Sequence, residues 1–233
     1  SSDLELQPLR HPLSDRAVGW RAGGGQRAVS GGRAHRVQLA QQGVVHARPV
    51  VRQARGLSTE QQIAGLVRGA KALGWTISLD VNLRPAMASD LGAYRQAVMD
   101  AVALADWVKA SDEDLHTLGF ADASLERADE VRQRFAQPAN RHIAFTFGGD
   151  GAYLWVDGQH TRAPAPRVTV VDTVGAGDTF WGSCLADWSE NSAPASERIA
   201  QTLARAMQAA AINCGRKGCQ PPTRAELHLE TTM

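Results

Sequence analysis

Cysteine is scarce in this chain: three residues in 233, Cys184, Cys214 and Cys219. Three cannot build a disulfide framework, so a reducing compartment, the cytoplasm, is the simpler expectation. Cys214 and Cys219 lack C-x-x-C spacing and a matching histidine cluster, which argues against a zinc site. Long apolar runs are missing too. No stretch approaches membrane-spanning length, and the first residues carry no signal-peptide hydrophobic region. Neither sign of charge dominates: 25 Lys and Arg stand against 24 Asp and Glu, a net charge of +1. That balance argues against nucleic acid or a membrane as partner for the chain as a whole. What is present, 43% hydrophobic and 21% charged residues, suits one α/β domain with a full core.

Residues 1–56 lack more. They contain no Lys, Ile, Phe, Tyr, Asn, Thr or Met and are rich in Arg, Gly, Gln, Val and Ala. No helical or strand period lasts beyond a few residues, and Gly23-Gly24-Gly25 and Gly31-Gly32 interrupt whatever starts. With little to bury against its ordering entropy, this segment reads as a poorly ordered arm; an Arg-rich nucleic-acid contact is the weaker reading. The first residue is Ser, so an incomplete natural start is expected. The chain divides into this arm, 1–56, and a folded domain, 57–233.

From Ser58 the signals sharpen. Ser58-Thr59-Glu60-Gln61 is a capping-box pattern, followed by Ile63, Leu66, Val67, Ala70 and Leu73 on one helical face, with Gly74 closing the helix. Trp75–Asp80 reads as a strand that opens onto Val81–Pro85, where Asn82 and Arg84 stand as loop-capping residues or as ligand contacts. A second helix is expected from Ser89 to about Ala105, with Leu91, Tyr94, Val98 and Val102 on its buried side. Trp107–Lys109 is a short strand leading to an acidic helix start capped by Ser111. Another helix covers Ser124–Phe135, and His142–Phe147 is a strand opening onto Gly148-Gly149-Asp150-Gly151. Ala152–Val156, the Asp157-Gly158 turn and Gln159–Arg162 make a hairpin. A last helix runs from Ser196 to about Asn213 and is stopped by Gly215 and the Pro221-Pro222 pair.

Val171–Phe180 is the stretch around which the rest is organised. Arg167–Val171 is β-branched and reads as a buried strand; Asp178–Trp188 places Phe180, Trp181, Cys184, Leu185 and Trp188 at helical spacing. Between them Gly175, Ala176 and Gly177 let a ligand approach the backbone, where the first helical N–H groups and the helix dipole form an anion site. A carboxylate beside an anion site repels the anion, so Asp178 is better suited to take a proton from whatever attacks a bound phosphate. The plainer reading is a Gly-rich turn with Asp178 as a helix cap.

The whole string D-T-V-G-A-G-D-T-F resembles the C-terminal signature of the ribokinase-like (PfkB) sugar kinases. The resemblance implies Asp178 as catalytic base, the amides of Gly175, Ala176 and Gly177 as anion hole, and a K⁺ site at Asp172 and the Val174 carbonyl. Carbonyls of the Ile212–Pro222 stretch would complete that site, and Asn213 would lie on the nucleotide side. D-x-N-x-R-P at Asp80–Pro85 is similar to the fructokinase and 2-keto-3-deoxygluconate kinase branches and directs Asn82 and Arg84 to substrate or transferred phosphate. Ser111 and Asp114 match the family's K-x-[N/S]-x-x-E element, Asp114 replacing the commoner Glu and orienting Mg²⁺ through water. Thr146, Gly148 and Gly151 match T-x-G-x-x-G, a loop that lines ATP. The implied fold is a ribokinase-like three-layer α/β/α, Rossmann-like and mostly parallel. The implied chemistry is ATP-dependent phosphorylation of a primary sugar hydroxyl, fructose first, with 2-keto-3-deoxygluconate or ribose as alternatives; a homodimer stays open.

Family members start with strands bearing an acidic sugar ligand, a G-G-x-x-x-N segment and a β lid, none of which is recognisable in residues 1–56. Most N-terminal strands and the lid are therefore expected to be missing, leaving a non-catalytic nucleotide-binding remnant as a further alternative. Lys, Ile, Phe, Tyr, Asn and Met need AT-rich codons, so their absence fits an out-of-frame reading of GC-rich DNA. Translating the coding DNA of this segment and its upstream flank in all frames should reveal G-G-x-x-x-N in another frame. Finding it in none rejects the frame disruption.

Overall fold

The computed structural model describes residues 38–39, 44–47, 59–191 and 194–230. Among these, seven strands lie side by side in chain order: β1 (Gln38–Leu39), β2 (Val44–Ala47), β3 (Thr76–Asp80), β4 (Trp107–Ser111), β5 (His142–Thr146), β6 (Ala152–Val156) and β7 (Gln159–Ala163). The heart of the sheet, β2 to β5, is parallel; β1 against β2, and the β5–β6–β7 meander, are antiparallel. Parallel neighbours need crossovers, and helices supply them. α1 (Thr59–Ala72) joins β2 to β3, α2 (Leu91–Leu104) joins β3 to β4, and α3 (Asp112–Leu118) with α4 (Ala128–Phe135) joins β4 to β5. α5 (Ala176–Glu190), α6 (Ile199–Cys214) and α7 (Arg224–Glu230) follow the last strand.

Alternation along the strands divides the core in two. Ile77, Leu79, Val108, Ile143 and Phe145 pack with residues of α1 to α4, such as Val98 and Phe135. Trp107, Ala144, Leu154 and Val156 point the other way, against Phe180, Trp181, Cys184, Leu203 and Met207 of α5 and α6. A sheet covered on both faces by helices is the α/β/α sandwich that the resemblance implies, but among the described residues it is mixed rather than mostly parallel, with β2 to β5 parallel and the other three pairings antiparallel.

Local chemistry explains the element ends. Asp90, not Ser89, caps α2, its Oδ1 accepting the Ala93 N–H at 2.9 Å. Ser111 caps α3 in a full capping box with Asp114, and Gly119, at φ 104°, ends that helix. Asp157 and Gly158 both have positive φ, as a two-residue hairpin turn requires.

Several expectations differ from what is observed, among them the starts of α4 and α6, which lie at Ala128 and Ile199 rather than Ser124 and Ser196. Arg167–Val171 is in no strand; Val170 and Val171 are each 59% exposed, and the Val171 N–H donates to the Cys214 carbonyl. A β-branched run signals a strand only if a neighbouring strand is there to pair with it. Leu91 is exposed, because the helix starts at it and its apolar stripe is carried by Tyr94, Val98 and Val102. β1 and β2 fall inside the segment read as an unordered arm, and β2 pairs with β3 in parallel register, Val45 opposite Ile77. α7 was not expected, although Thr223-x-x-Glu226 is a capping-box pattern and forms one, the Thr223 N–H donating to Glu226 Oε2 at 2.7 Å. The remainder of residues 1–56, including the Gly-rich stretches, and the Ser58 cap lie outside the described residues. Among the described residues no helix is long and apolar enough to cross a membrane.

His142 opens β5 and is buried, stacked flat on Trp107 at 5.1 Å and edge-on to Trp188 at 4.4 Å. Burial pushes its imidazole down to about 4, although Asp157, 3.4 Å away, pulls the other way. The unfolded chain therefore binds a proton near pH 6.5 that the folded chain refuses until about pH 4. Stability should be full above pH 6.5 and fall by roughly 3 kcal/mol as pH drops to 4. Urea midpoints across this range should show the loss, and His142→Phe should flatten the slope by that amount.

Candidate active site

Loops at the carboxyl ends of parallel strands are where open α/β sheets present ligand-binding groups. Here β3 leads to Asn82 and Arg84, β4 to Ser111 and Asp114, and β5 to Thr146, Gly148 and Gly151. Ser111 and Thr146 are register partners on adjacent strands. Asn82 sits at φ 40°, a left-handed conformation that Asn tolerates better than most residues, which gives it a backbone reason to be there. Arg84 is exposed; its Nη1 donates to the Leu83 carbonyl at 2.7 Å.

Asp114 ties two of these loops together. It is buried, its Oδ1 accepts the Leu83 N–H at 2.7 Å, and its Oδ2 accepts the Ser111 N–H at 2.9 Å. The residue expected to orient a metal shell thus braces the Arg84 loop against the start of α3. Gly151 has a packing reason as well: at φ 134°, a Cβ there would lie 2.1 Å from the Ala163 carbonyl oxygen. Gly148, at φ 50°, is exposed and has open space around it.

The central motif forms the fourth loop. Gly175 turns the chain at φ 78° into the first turn of α5. The Ala176 N–H closes that turn on the Thr173 carbonyl at 3.1 Å, and the Thr179 N–H bonds the Gly175 carbonyl at 2.8 Å. The expected three-amide anion hole is therefore reduced: Ala176 has spent its donor on the turn. The N–H groups of Gly175 and Gly177 donate to nothing among the described residues. They are the unpaired donors that a helix start leaves, at the positive end of the dipole. Asp178 follows in the same turn and is exposed.

A second loop, residues 214–220, holds this one. The Cys214 carbonyl accepts from Val171 and Asp172, and the Gly218 N–H donates to Asp172 Oδ2 at 2.9 Å. Asp172 Oδ1 accepts the Val174 N–H at 3.0 Å. The Val174 and Gly218 N–H groups hold the Asp172 carboxyl below the usual carboxylate range. Asn213, expected beside the nucleotide, is fully buried, and its amide is engaged at both ends: Nδ2 donates to the Val174 carbonyl and Oδ1 accepts the Gln220 N–H. It is a brace. Cys219 lies against the turn, its Sγ 2.2 Å from where a Cβ on Gly175 would be.

Sequence reading passed over Lys109. Its ammonium is buried, 3.0 Å from Asp80 Oδ1, and 3.2 Å from where a Cβ on Gly177 would be. The available signal was a lone charge in the otherwise uncharged strand W-V-K-A-S, opposite Asp80 in register. A cavity of about 560 Å³ lined by Trp75, Trp107 and His142 opens at the amino-terminal ends of the strands and contains none of the expected site residues.

Residues 40–226 match the model of a family described as pfkB family carbohydrate kinase. The chain belongs to that family. Its match begins upstream of residue 57, so the family signal extends through β2. Curated relatives in the family include a fructokinase of Rhizobium leguminosarum bv. trifolii, 35% identical over 116 residues, 50% of this chain and 34% of that protein. Another is fructokinase-1 of Zea mays, 31% identical over 162 residues, 68% of this chain and 49% of that protein. The chain spans half or less of the length of these relatives. A solved fructokinase double mutant of Vibrio cholerae O395, bound to fructose, ADP and potassium ion, superposes with a TM-score of 0.66 at 27% identity, covering 83% of this chain and 62% of that one. Aminoimidazole riboside kinase of Salmonella enterica, complexed with aminoimidazole riboside and an ATP analogue, gives a TM-score of 0.64 at 26% identity, covering 76% and 59%.

The Asp114 brace is open to direct test. Asp114→Ala leaves the Leu83 and Ser111 N–H groups without their acceptor and should cost about 2–4 kcal/mol of stability in chemical denaturation.

Proposed function

We propose that this chain is the nucleotide-binding and catalytic part of an ATP-dependent sugar kinase that phosphorylates a primary hydroxyl, with fructose as the first candidate. The observation that carries the reading is the first turn of α5: two unspent main-chain donors, Gly175 and Gly177, with the Asp178 carboxylate in the same turn. Fructokinases among the curated relatives support the choice of sugar. 2-Keto-3-deoxygluconate and ribose are the alternatives, and aminoimidazole riboside enters through a relative named for it.

In this mechanism Asp178 accepts the proton of the sugar hydroxyl as its oxygen attacks the γ-phosphorus in line. The bond to the β-phosphate oxygen breaks, and ADP leaves with that electron pair. The Gly175 and Gly177 N–H groups meet the charge that develops on the transferred phosphoryl oxygens, donors worth about 3–4 kcal/mol each at comparable sites. Arg84, exposed at the neighbouring strand end, supplies a planar guanidinium to substrate or phosphate. Ser111, Thr146, Gly148 and Gly151 line the nucleotide side.

The donor set suits the two cations differently. Asp172 and the Val174 carbonyl offer hard oxygens on a loop already pinned by Gly218 and Asn213, and would hold K⁺, which orders that loop. Among the described residues no cluster of three or more His, Cys, Asp or Glu could hold a metal ion. Mg²⁺, which screens the phosphate charge, would accordingly ride on the nucleotide, with Asp114 reached through water. A cytoplasmic site of action, where thiols stay reduced, suits the free thiols of Cys184, Cys214 and Cys219.

A second reading is nucleotide binding without transfer, since among the described residues Arg84 and the Asp178 turn stand at the site while no sugar-binding residues are assigned. Coupled ADP release across fructose, ribose, 2-keto-3-deoxygluconate and aminoimidazole riboside separates the two. Sugar-dependent ADP release is expected, lowered about 10²–10⁴-fold by Asp178→Asn with nucleotide affinity kept near the parental value. An unchanged rate in that variant refutes the base assignment. ATP binding with no sugar-dependent release selects the second reading.

A further inference from the structure

α5 crosses the sheet with its first turn at the carboxyl edge, and it passes two polar side chains of the strands. Trp181 Nε1 donates to Ser78 Oγ at 3.1 Å, and one turn earlier the Lys109 ammonium lies 3.2 Å from where a Cβ on Gly177 would be. The first contact satisfies a buried indole. The second has no such explanation. The Lys109 side chain is 7% exposed and lies near the positive end of a helix dipole, where a cation is disfavoured. Burying it is costly as well, and for stability alone an apolar side chain serves as well or better at such a position.

The geometry is polarised. Asp80, 1% exposed, faces Lys109 across the β3–β4 register and holds its ammonium at 3.0 Å. Only atoms of Lys109, Nζ at 3.2 Å and Cε at 3.7 Å, come within 4 Å of where a Cβ on Gly177 would be; the Asp80 carboxylate does not. The ion pair therefore turns its cationic end toward the helix start and its anionic end away. A Cβ at 177 would crowd the ammonium, which would have to give by a few tenths of an ångström. The two N–H groups without acceptors, those of Gly175 and Gly177, belong to this same helix start.

We propose that the Lys109–Asp80 pair is the electropositive floor of the phosphate cradle: Lys109 is a positioning residue that supports the Gly177 turn from below and adds attraction for the terminal phosphate without touching it. This role rests on the reading that the cradle takes a phosphate. A field of this kind acts on charged ligands and leaves an uncharged nucleoside unaffected, which separates it from a role in folding.

The test uses the full chain and calorimetric binding of two probes, MgATP and adenosine. Asp80→Asn together with Lys109→Met removes both charges at nearly constant shape. The pair variant should keep its adenosine affinity within about twofold and lose about tenfold in ATP affinity, the size expected of one partly compensated charge near a phosphate. Asp80→Asn alone keeps the cation against Gly177 and should hold or raise the preference for ATP over adenosine. An ATP preference unchanged in the pair variant, or lowered by Asp80→Asn alone, overturns the proposal, and the single variant decides if the pair variant fails to fold. A parental chain that binds ATP no better than adenosine overturns the phosphate cradle itself, and this role with it.

Discussion

The site depends on one turn. Gly175 takes a left-handed backbone conformation that sends the chain into α5 with the N–H groups of Gly175 and Gly177 unspent and that of Ala176 folded back on Thr173. Neighbouring residues hold that arrangement. The 214–220 loop grips the turn from one side through Asp172, Val174 and Asn213, and Lys109 supports it from the sheet. Donors fixed in this way need no reorganisation when negative charge arrives, which is the condition under which main-chain dipoles contribute most to a transition state.

Acidic and amide side chains carry much of this fixation. Asp114 joins the Arg84 loop to the start of α3; Asp172 and Asn213 join the Gly175 turn to the end of α6. In each case a carboxylate or amide oxygen accepts main-chain N–H groups that would otherwise lack a partner at a loop or helix end, so the same bonds satisfy the backbone and set the spacing of the loops. The signature residues therefore divide in two. Asp178 and Arg84 are exposed and Gly175 and Gly177 keep unspent N–H groups, whereas Asp114, Asp172 and Asn213 mainly hold the backbone around them.

How much of this could be read in advance follows from the range of each signal. Periodicity is local, and it placed the helices through Tyr94, Val98 and Val102 and through Trp181, Cys184 and Trp188. Capping chemistry is local too, and Ser111 with Asp114 marked the start of α3. Strand pairing is not local. Val168, Val170 and Val171 have the side chains of a strand without a partner, whereas Val44–Ala47 is too short to show a period and is a strand because β3 lies beside it. The engaged Ala176 N–H and the two-ended Asn213 amide also escaped, since a sequence shows which groups can bond and not which are already bonded. Lys109 was hidden by a strand that reads as core on both sides.

The contact between Cys219 and Gly175 links two positions 44 residues apart. The thiol occupies the volume that any side chain at 175 would need, and the left-handed φ there already excludes β-branched residues. Changes at these positions are therefore epistatic and ordered. Removing the thiol alone does not open position 175, because the Cβ at 219 would still lie 2.9 Å from a Cβ there, and the left-handed backbone remains. Position 219 therefore has to change before position 175 can.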